Sequence, residues 1–209
     1  QGQPVGTFGD ISTFSFFLSH HITTIEGGMV CFQSPQWRDF LISQRAHGWI
    51  RERSDEAQWK AQYPDLHGGW TFVESGYNLR PTEMHAAIGR VQLASLDQFI
   101  AQRQKIWQTW ASHITEKWGH WLSVQKVLPD HQISPLGLAL QVNANAPFQR
   151  SELQTALQEN QIFTRPLITG NFTRQPVFKH LPSRQVSETL AAADQVHEYG
   201  FMVGLHHDL

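Results

Sequence analysis

Cysteine is almost absent: Cys31 is the one thiol in 209 residues. An internal disulfide and a four-thiolate metal site are therefore excluded, and a lone thiol suits a reducing compartment, the cytoplasm. Charge of one sign is also lacking. Sixteen Lys and Arg against eighteen Asp and Glu leave a formal charge of −2, without the basic surplus on which nucleic-acid binding draws. No apolar run approaches the ~20 residues of a membrane helix, so neither nucleic acid nor membrane is an expected partner. An initiator methionine and a signal-peptide pattern are missing too. The chain opens on Gln1-Gly2-Gln3-Pro4 and passes into strand-like sequence, which reads as a chain cut from within a longer protein.

Hydrophobic residues make up 40% and charged residues 16%, enough apolar side chains for a buried core. Residues 8–17 predict a buried strand, Gly27-Gly28 a turn, and Met29–Phe32 a returning strand. Trp37, Phe40 and Leu41 mark a short amphipathic helix over 35–46. Residues 47–76 are irregular and polar, with four Gly and one Pro, and predict a long loop of the kind tied to function or a partner. Pro81 and Thr82 then open the strongest helix. Its apolar stripe (Met84, Ala87, Ile88, Val91, Leu96, Phe99, Ile100) carries it to about residue 110. Beyond Trp118 come strands at 122–128 and 136–142, then a helix from a Ser151/Gln154 capping box to about Asn160. A helix over 187–199 and a strand over 200–205 complete a small α+β domain. Trp107, Trp110, Trp118 and Trp121 read as core and interface packing.

The segment Ser15-Phe16-Phe17-Leu18-Ser19-His20-His21-Ile22-Thr23-Thr24-Ile25-Glu26-Gly27-Gly28 resembles the nucleotide-sugar aminotransferases of the DegT/DnrJ/EryC1/StrS group. Two further blocks resemble them in the same order. One is Gly76-Tyr77-Asn78-Leu79-Arg80-Pro81-Thr82-Glu83-Met84, continued by Ala86-Ala87-Ile88-Gly89 and Gln92-Leu93. The other is Thr164-Arg165-Pro166 with Gly170-Asn171 and Gln175-Pro176. The resemblance implies an α/β, fold type I pyridoxal-phosphate enzyme. Residues 1–80 would be the C-terminal remnant of the large cofactor-binding domain, 81–115 an interdomain helix, and 116–209 the small domain. Members of the group are about twice this length, so the chain is expected to be their C-terminal half and to bind cofactor poorly alone.

Position 20 departs from the group's pattern. A lysine stands there in the aminotransferases and tethers the cofactor covalently; here it is His20. Imidazole cannot form that bond, but it moves protons near neutral pH, its ordinary pKa being ~6.5. The same replacement, followed by His-Ile-Thr, resembles the 3-dehydratase branch of the group. That branch acts on nucleotide-linked 4-keto-6-deoxyhexoses with pyridoxamine phosphate, whose ring serves as electron sink. The resemblance makes His20 the catalytic base and acid that removes a proton and then assists loss of the C3 hydroxyl. Branch members with an iron–sulfur cluster carry their cysteines in the loop matching residues 45–68, where this chain has none. The cluster-free kind is therefore expected, with glutamate as amino donor and a GDP-linked sugar as the favoured substrate. An aminotransferase relative, or an inactive sugar-nucleotide-binding homologue, is the alternative.

Other roles come from the same match. Ser15 is expected on the cofactor phosphate, as is Asn78, reaching it from the neighbouring subunit of a homodimer. Arg80 and Arg165 offer planar forks for phosphate, substrate or a donor carboxylate, with a solvated surface role as the alternative. His21 either orients His20 and substrate or merely belongs to the loop. Asn78 before a helix and Ser15 at a strand end also have ordinary structural readings. Glu26 is expected to cap the turn. The twelve histidines show no i, i+4 pair with a carboxylate, so no metal is expected.

Overall fold

The computed structural model describes residues 2–185, 187 and 189–209. It divides into two compact units, Gln1–Ser95 and Leu96–Leu209.

The first unit begins with an antiparallel hairpin of β1 (Ile11–Ser15) and β2 (Gly28–Phe32), in register from Ile11↔Phe32 to Ser15↔Gly28. Both strands were legible from their β-branched and aromatic residues, but their burial was not. Nearly every strand position is exposed, Phe14 by 43%. The apolar composition predicts two covered faces, whereas among the described residues β1 and β2 form a sheet with each other alone. Helix α1 (Gln36–Arg45) follows and leads into the small core of this unit, Ser43, Ala46, Trp49, Ile50 and Thr71. Ser43 Oγ donates to the Trp49 carbonyl at 2.8 Å, and Arg53 donates to Ser43 Oγ at 3.2 Å.

The stretch expected as a loop contains a helix, α2 (Glu56–Gln62). Its residues form a single two-turn segment held by the Glu56–Lys60 pair (2.6 Å) and by Trp59 Nε1 donating to Asp55 at 3.1 Å. Around it the chain crosses itself at Gly48 and Gly76. Gly48 has φ +83°, and a Cβ on either glycine would collide with the other strand's backbone. That crossing presses Tyr77–Leu79 against the end of α1: the Tyr77 amide donates to Gln44 O and the Leu79 amide to Arg45 O.

Helix α3 (Glu83–Ala94) is capped by Thr82, whose side chain accepts from the His85 amide while His85 Nδ1 accepts from the Thr82 amide. The helix expected to run unbroken to residue 110 ends here. Ser95 caps it, and α4 (Leu96–Trp118) starts afresh as the first element of the second unit.

The second unit is a four-stranded antiparallel sheet in the order β3 (Leu122–Val124), β4 (Gly137–Val142), β6 (Gly200–Gly204), β5 (Thr164–Arg165). Strand β4 alternates with period two, sending Leu138, Leu140 and Val142 inward. Ala111 and Ile114 of α4 meet them, with Phe201 and Leu205 closing the cluster. Phe201 is 0% exposed, a burial that contributes roughly 1.5–3 kcal/mol. Of the four tryptophans expected in core and interface packing, Trp107 packs on this core, and Trp110 and Trp118 are exposed on the surface of the unit. Helix α5 (Arg150–Glu159) is capped by Gln149 with Glu152, two residues before the predicted Ser151/Gln154 box. Helix α6 (Ala191–Tyr199) begins later than the predicted Ser187; positions 186 and 188 of that stretch lie outside the described residues.

Candidate active site

The loop between β1 and β2 carries His20, and its shape comes from backbone bonds rather than from apolar burial. The Phe16 amide donates to Gly27 O (2.9 Å), extending the hairpin by one pair. The Phe16 carbonyl then accepts from the Thr24 amide (3.0 Å) and from Thr23 Oγ1 (3.2 Å). Thr23 Oγ1 in turn accepts from the Ile25 amide at 2.9 Å, which holds Ile25 in the left-handed region at φ +74°. A β-branched residue adopts that conformation only when its surroundings fix it. Thr24 Oγ1 donates to the Glu26 carbonyl at 2.7 Å, so the turn is fastened by Thr24. The carboxylate of Glu26, expected as the cap, does not do this.

Helix α3 holds the loop from beneath. A Cβ on Gly89 would sit 2.9 Å from Thr24 Cγ2, and Gln92 Oε1 accepts from the Thr23 amide at 3.3 Å. Gly89 and Gln92 are three apart and share one helix face. Neither was singled out as a site residue, though both lie in the quoted Ala-Ala-x-Gly-x-x-Gln-Leu block. Two sequence motifs separated by about seventy residues are thus one physical device.

Within the loop, His20 and Ser15 are brought together. The His20 amide donates to Phe17 O at 3.0 Å, its ring meets Phe17 edge-on at 5.9 Å, and Nδ1 lies 3.3 Å from Ser15 Oγ. The ring is half-buried and Ser15 exposed. Ser15 Oγ also accepts from the Phe17 amide at 3.3 Å. A hydroxyl has one proton to give. If Ser15 gives it to an anion, its oxygen is left to accept from His20 Nδ1–H, and Nε2 becomes the basic nitrogen. If Ser15 gives it to Nδ1, Nε2 carries the proton instead. One hydroxyl can therefore set the tautomer of the imidazole. His21 is half-buried beside it.

The other expected residues lie elsewhere. Asn78 is exposed and bridges to Ala46 on the segment docked against α1. Arg80, two residues on, has its guanidinium 5.1 Å from the centre of the Trp49 ring. Arg165 belongs to the second unit, exposed on β5 and paired with Met202. Asn171, quoted in the third block, is buried. Its amide donates to Asp194 at 2.8 Å and its oxygen accepts from Thr173, a structural staple.

Several charged groups are shifted by their neighbours. Arg53 grips Asp55 with two bonds of 2.7 Å, which holds the Asp55 carboxyl below the usual carboxylate range and the guanidinium above its own. Bonds from Ser54 lower Asp39 in the same way. In the second unit, His207 stacks on Phe99 at 3.8 Å, and burial lowers its imidazole. His206, His207 and Asp208 are the one grouping of three potential metal donors among the described residues. The second unit also has a cavity of about 1080 Å³ beside α4, walled chiefly by apolar side chains such as Trp110, Ile114 and Phe163.

The profile of the DegT/DnrJ/EryC1/StrS aminotransferase family matches residues 1–209. The chain belongs to that family. Among family relatives, it is 33% identical over 211 residues to the GDP-4-keto-6-deoxy-D-mannose 3-dehydratase of Yersinia pseudotuberculosis, covering 98% of this chain and 52% of that one. A dTDP-4-dehydro-2,6-dideoxy-D-glucose 3-dehydratase of Saccharopolyspora spinosa is 33% identical over 218 residues, 99% of this chain and 46% of that one. The solved E. coli GDP-4-keto-6-deoxy-D-mannose-3-dehydratase with bound hydrated PLP superposes with a TM-score of 0.84 at 30% identity, over 99% of this chain and 52% of that one. The family member described here thus has the fold of PLP-dependent aminotransferases and spans about half the length of the curated relatives it matches. No helix among its described residues is long and apolar enough to cross a membrane.

Proposed function

We propose that this chain carries the acid–base end of a nucleotide-sugar 3-dehydratase, with His20 as the proton-transferring residue. The observation that carries the reading is an imidazole at the family's lysine position, its Nδ1 held 3.3 Å from Ser15 Oγ. Nucleotide-sugar 3-dehydratases among the similar proteins support it, as does a solved histidine-to-asparagine variant of the GDP-4-keto-6-deoxymannose enzyme with bound GDP-perosamine, 31% identical with a TM-score of 0.82.

Pyridoxamine phosphate, when bound, supplies the amine that condenses with the 4-keto carbon and the ring that takes up electrons. The residues present suit it: an exposed serine hydroxyl at the end of β1, with the imidazole alongside. Ser15 donates to the phosphate, which leaves Nε2 of His20 ready to accept a proton. His20 then returns that proton to the departing C3 hydroxyl as general acid. Asn78 completes the phosphate donors from a neighbouring copy in a homodimer, and Arg80, Arg165 and His21 contact the substrate. Glutamate restores the amine form, no iron–sulfur cluster takes part, and the reaction is cytoplasmic. Residues 1–80 act as large-domain sequence, 81–115 as the connection and 116–209 as the small domain. The aminotransferase alternative loses ground because imidazole cannot replace the tethering lysine.

The experiment is to incubate the full-length protein that contains this chain with pyridoxamine phosphate, glutamate and a GDP-linked 4-keto-6-deoxyhexose and follow the sugar by mass. Loss of the C3 oxygen is the expected result. A 4-amino sugar with its 3-hydroxyl intact would establish the aminotransferase instead, and unchanged substrate would favour the inactive homologue.

A further inference from the structure

Beyond β6 the chain turns at His206–Leu209, where the Leu209 amide donates to the His206 carbonyl at 3.2 Å. That turn gathers His206, His207 and Asp208 so that one donor atom from each lies within 4.8 Å of the others. Reading the sequence for histidines one helical turn apart gave no reason to expect a metal. Here the donors are consecutive, and a turn rather than a helix face brings them together.

The separations suit a ligand set. Asp208 Oδ2 lies 3.4 Å from His206 Nδ1, and Asp208 Oδ1 lies 3.8 Å from His207 Nε2. Metal–ligand bonds of about 2.0–2.2 Å in a tetrahedral array place donor atoms roughly 3.3–3.6 Å apart. The longer pair is beyond hydrogen-bond reach. The shorter pair sets two acceptors face to face. The Asp208 amide donates to His206 Nδ1 at 3.3 Å, so that nitrogen presents a lone pair, as does the carboxylate oxygen. An ion that takes the Nδ1 lone pair in place of the weak amide bond removes this repulsion.

The rings are also fixed in advance. His207 stacks on Phe99 at 3.8 Å and on His206 at 4.1 Å, which holds their planes before an ion arrives. Its Nδ1 is buried without a hydrogen-bond partner, and Nε2 is the nitrogen left to bind. That orphan has a cost. An imidazole bound through Nε2 carries its proton on Nδ1, and an acceptor there is worth about 10–100-fold in metal affinity. Arg103, whose charge is felt at His207, opposes a cation as well. Its NH1 donates to the Leu205 carbonyl at 2.5 Å, and the Asp208 carboxylate offsets its charge. Micromolar rather than nanomolar affinity is therefore expected.

We propose that His206, His207 and Asp208 bind a divalent transition-metal ion of the zinc class, with water in the fourth position. Two imidazoles and one carboxylate favour such an ion over magnesium or calcium, which prefer oxygen donors throughout. The ion clasps the turn after β6 beside Phe99 of α4. This site is independent of the dehydratase reading.

Zinc titration of the metal-stripped full-length protein that contains this chain, in competition with a chromophoric chelator, tests the proposal. The parent is expected to bind zinc. His206→Ala, His207→Gln and Asp208→Asn should each weaken that binding by about tenfold or more, whereas His131→Ala leaves it unchanged and magnesium does not displace it. Zinc should also raise the unfolding midpoint of the parent and not of the three variants. His206 and Asp208 are 60% and 78% exposed, so their variants keep the core, which circular dichroism verifies. Absence of zinc binding, or affinity equal to the parent's in all three variants, overturns the assignment. Loss on changing either histidine with Asp208→Asn unaffected also overturns it, marking an adventitious ion on the paired rings. Displacement of zinc by an equal concentration of magnesium overturns it too.

Discussion

The second unit gathers a continuous apolar core between its sheet and α4, whereas the hairpin of the first turns its apolar side chains outward. In the second, Leu138, Leu140, Val142 and Phe201 close on Ala111 and Ile114 of α4. In the first, the hairpin that carries the candidate site leaves Phe14, Met29 and Val30 exposed, and a two-stranded hairpin is marginal on its own. Its loop keeps its shape through hydrogen bonds donated by the Thr23 and Thr24 hydroxyls and one that Gln92 Oε1 accepts from the Thr23 amide. The sheet of the second unit is thus stabilised by packing, whereas the hairpin loop of the first is specified by polar geometry.

Core truncation should expose that contrast most strongly. Phe201→Ala is expected to destabilise the second unit by about 3–5 kcal/mol in denaturant titration. Phe14→Ala should cost less than about 1 kcal/mol in the first. Equal costs would break the comparison. Next comes the chain crossing. Gly48→Ala must hold a side chain at φ +83° against the Glu74 carbonyl, and should cost at least about 1–3 kcal/mol, seen as faster amide exchange around Ile50. A smaller loss, about 0.5–1.5 kcal/mol, is expected for Gln92→Ala, with the Thr23 amide losing protection while the second unit is unaffected.

Acid should produce the mildest effect and sharpen the distinction by pH. The His207 imidazole is lowered, first by burial, so the unfolded chain binds that proton first. Its contribution is complete above about pH 6.5 and declines as pH falls through the folded value. Asp39 and Asp55 are lowered, chiefly by bonds from Ser54 and Arg53 respectively. Their contribution is complete above the ordinary aspartate value of about 3.9 and is lost only in stronger acid. Unfolding midpoints followed against pH should therefore fall earlier in the second unit, and His207→Gln should flatten that early portion.

Much of this architecture could be read from residue order. The hairpin followed from β-branched and aromatic runs bounded by Gly27-Gly28, the start of α3 from Thr82, and β4 from its alternation. Those signals are local, and local signals survive folding. What escaped was set by partners distant in sequence. The break at Ser95 has no proline or glycine to announce it. Helix α2 is too short to show a stripe, and the Gln149–Glu152 cap competes with an equally plausible pair two residues on. Exposure of β1 depends on which layers cover it, and composition cannot tell that. At the site, His20 and Ser15 were legible because one motif holds both. Gln92 came to notice only when its side-chain oxygen was seen to accept from the Thr23 amide of a loop far away in sequence.

The central claim is that an imidazole does by proton transfer what the family's lysine does by tethering. It is tested most directly by comparing His20→Asn with the parent protein for loss of the C3 oxygen from a GDP-linked 4-keto-6-deoxyhexose in the presence of pyridoxamine phosphate. The account predicts a fall of about 10²–10⁴-fold or more, with the circular dichroism and unfolding midpoint of the variant unchanged. Dehydration at the parent rate by a correctly folded His20→Asn protein would contradict it.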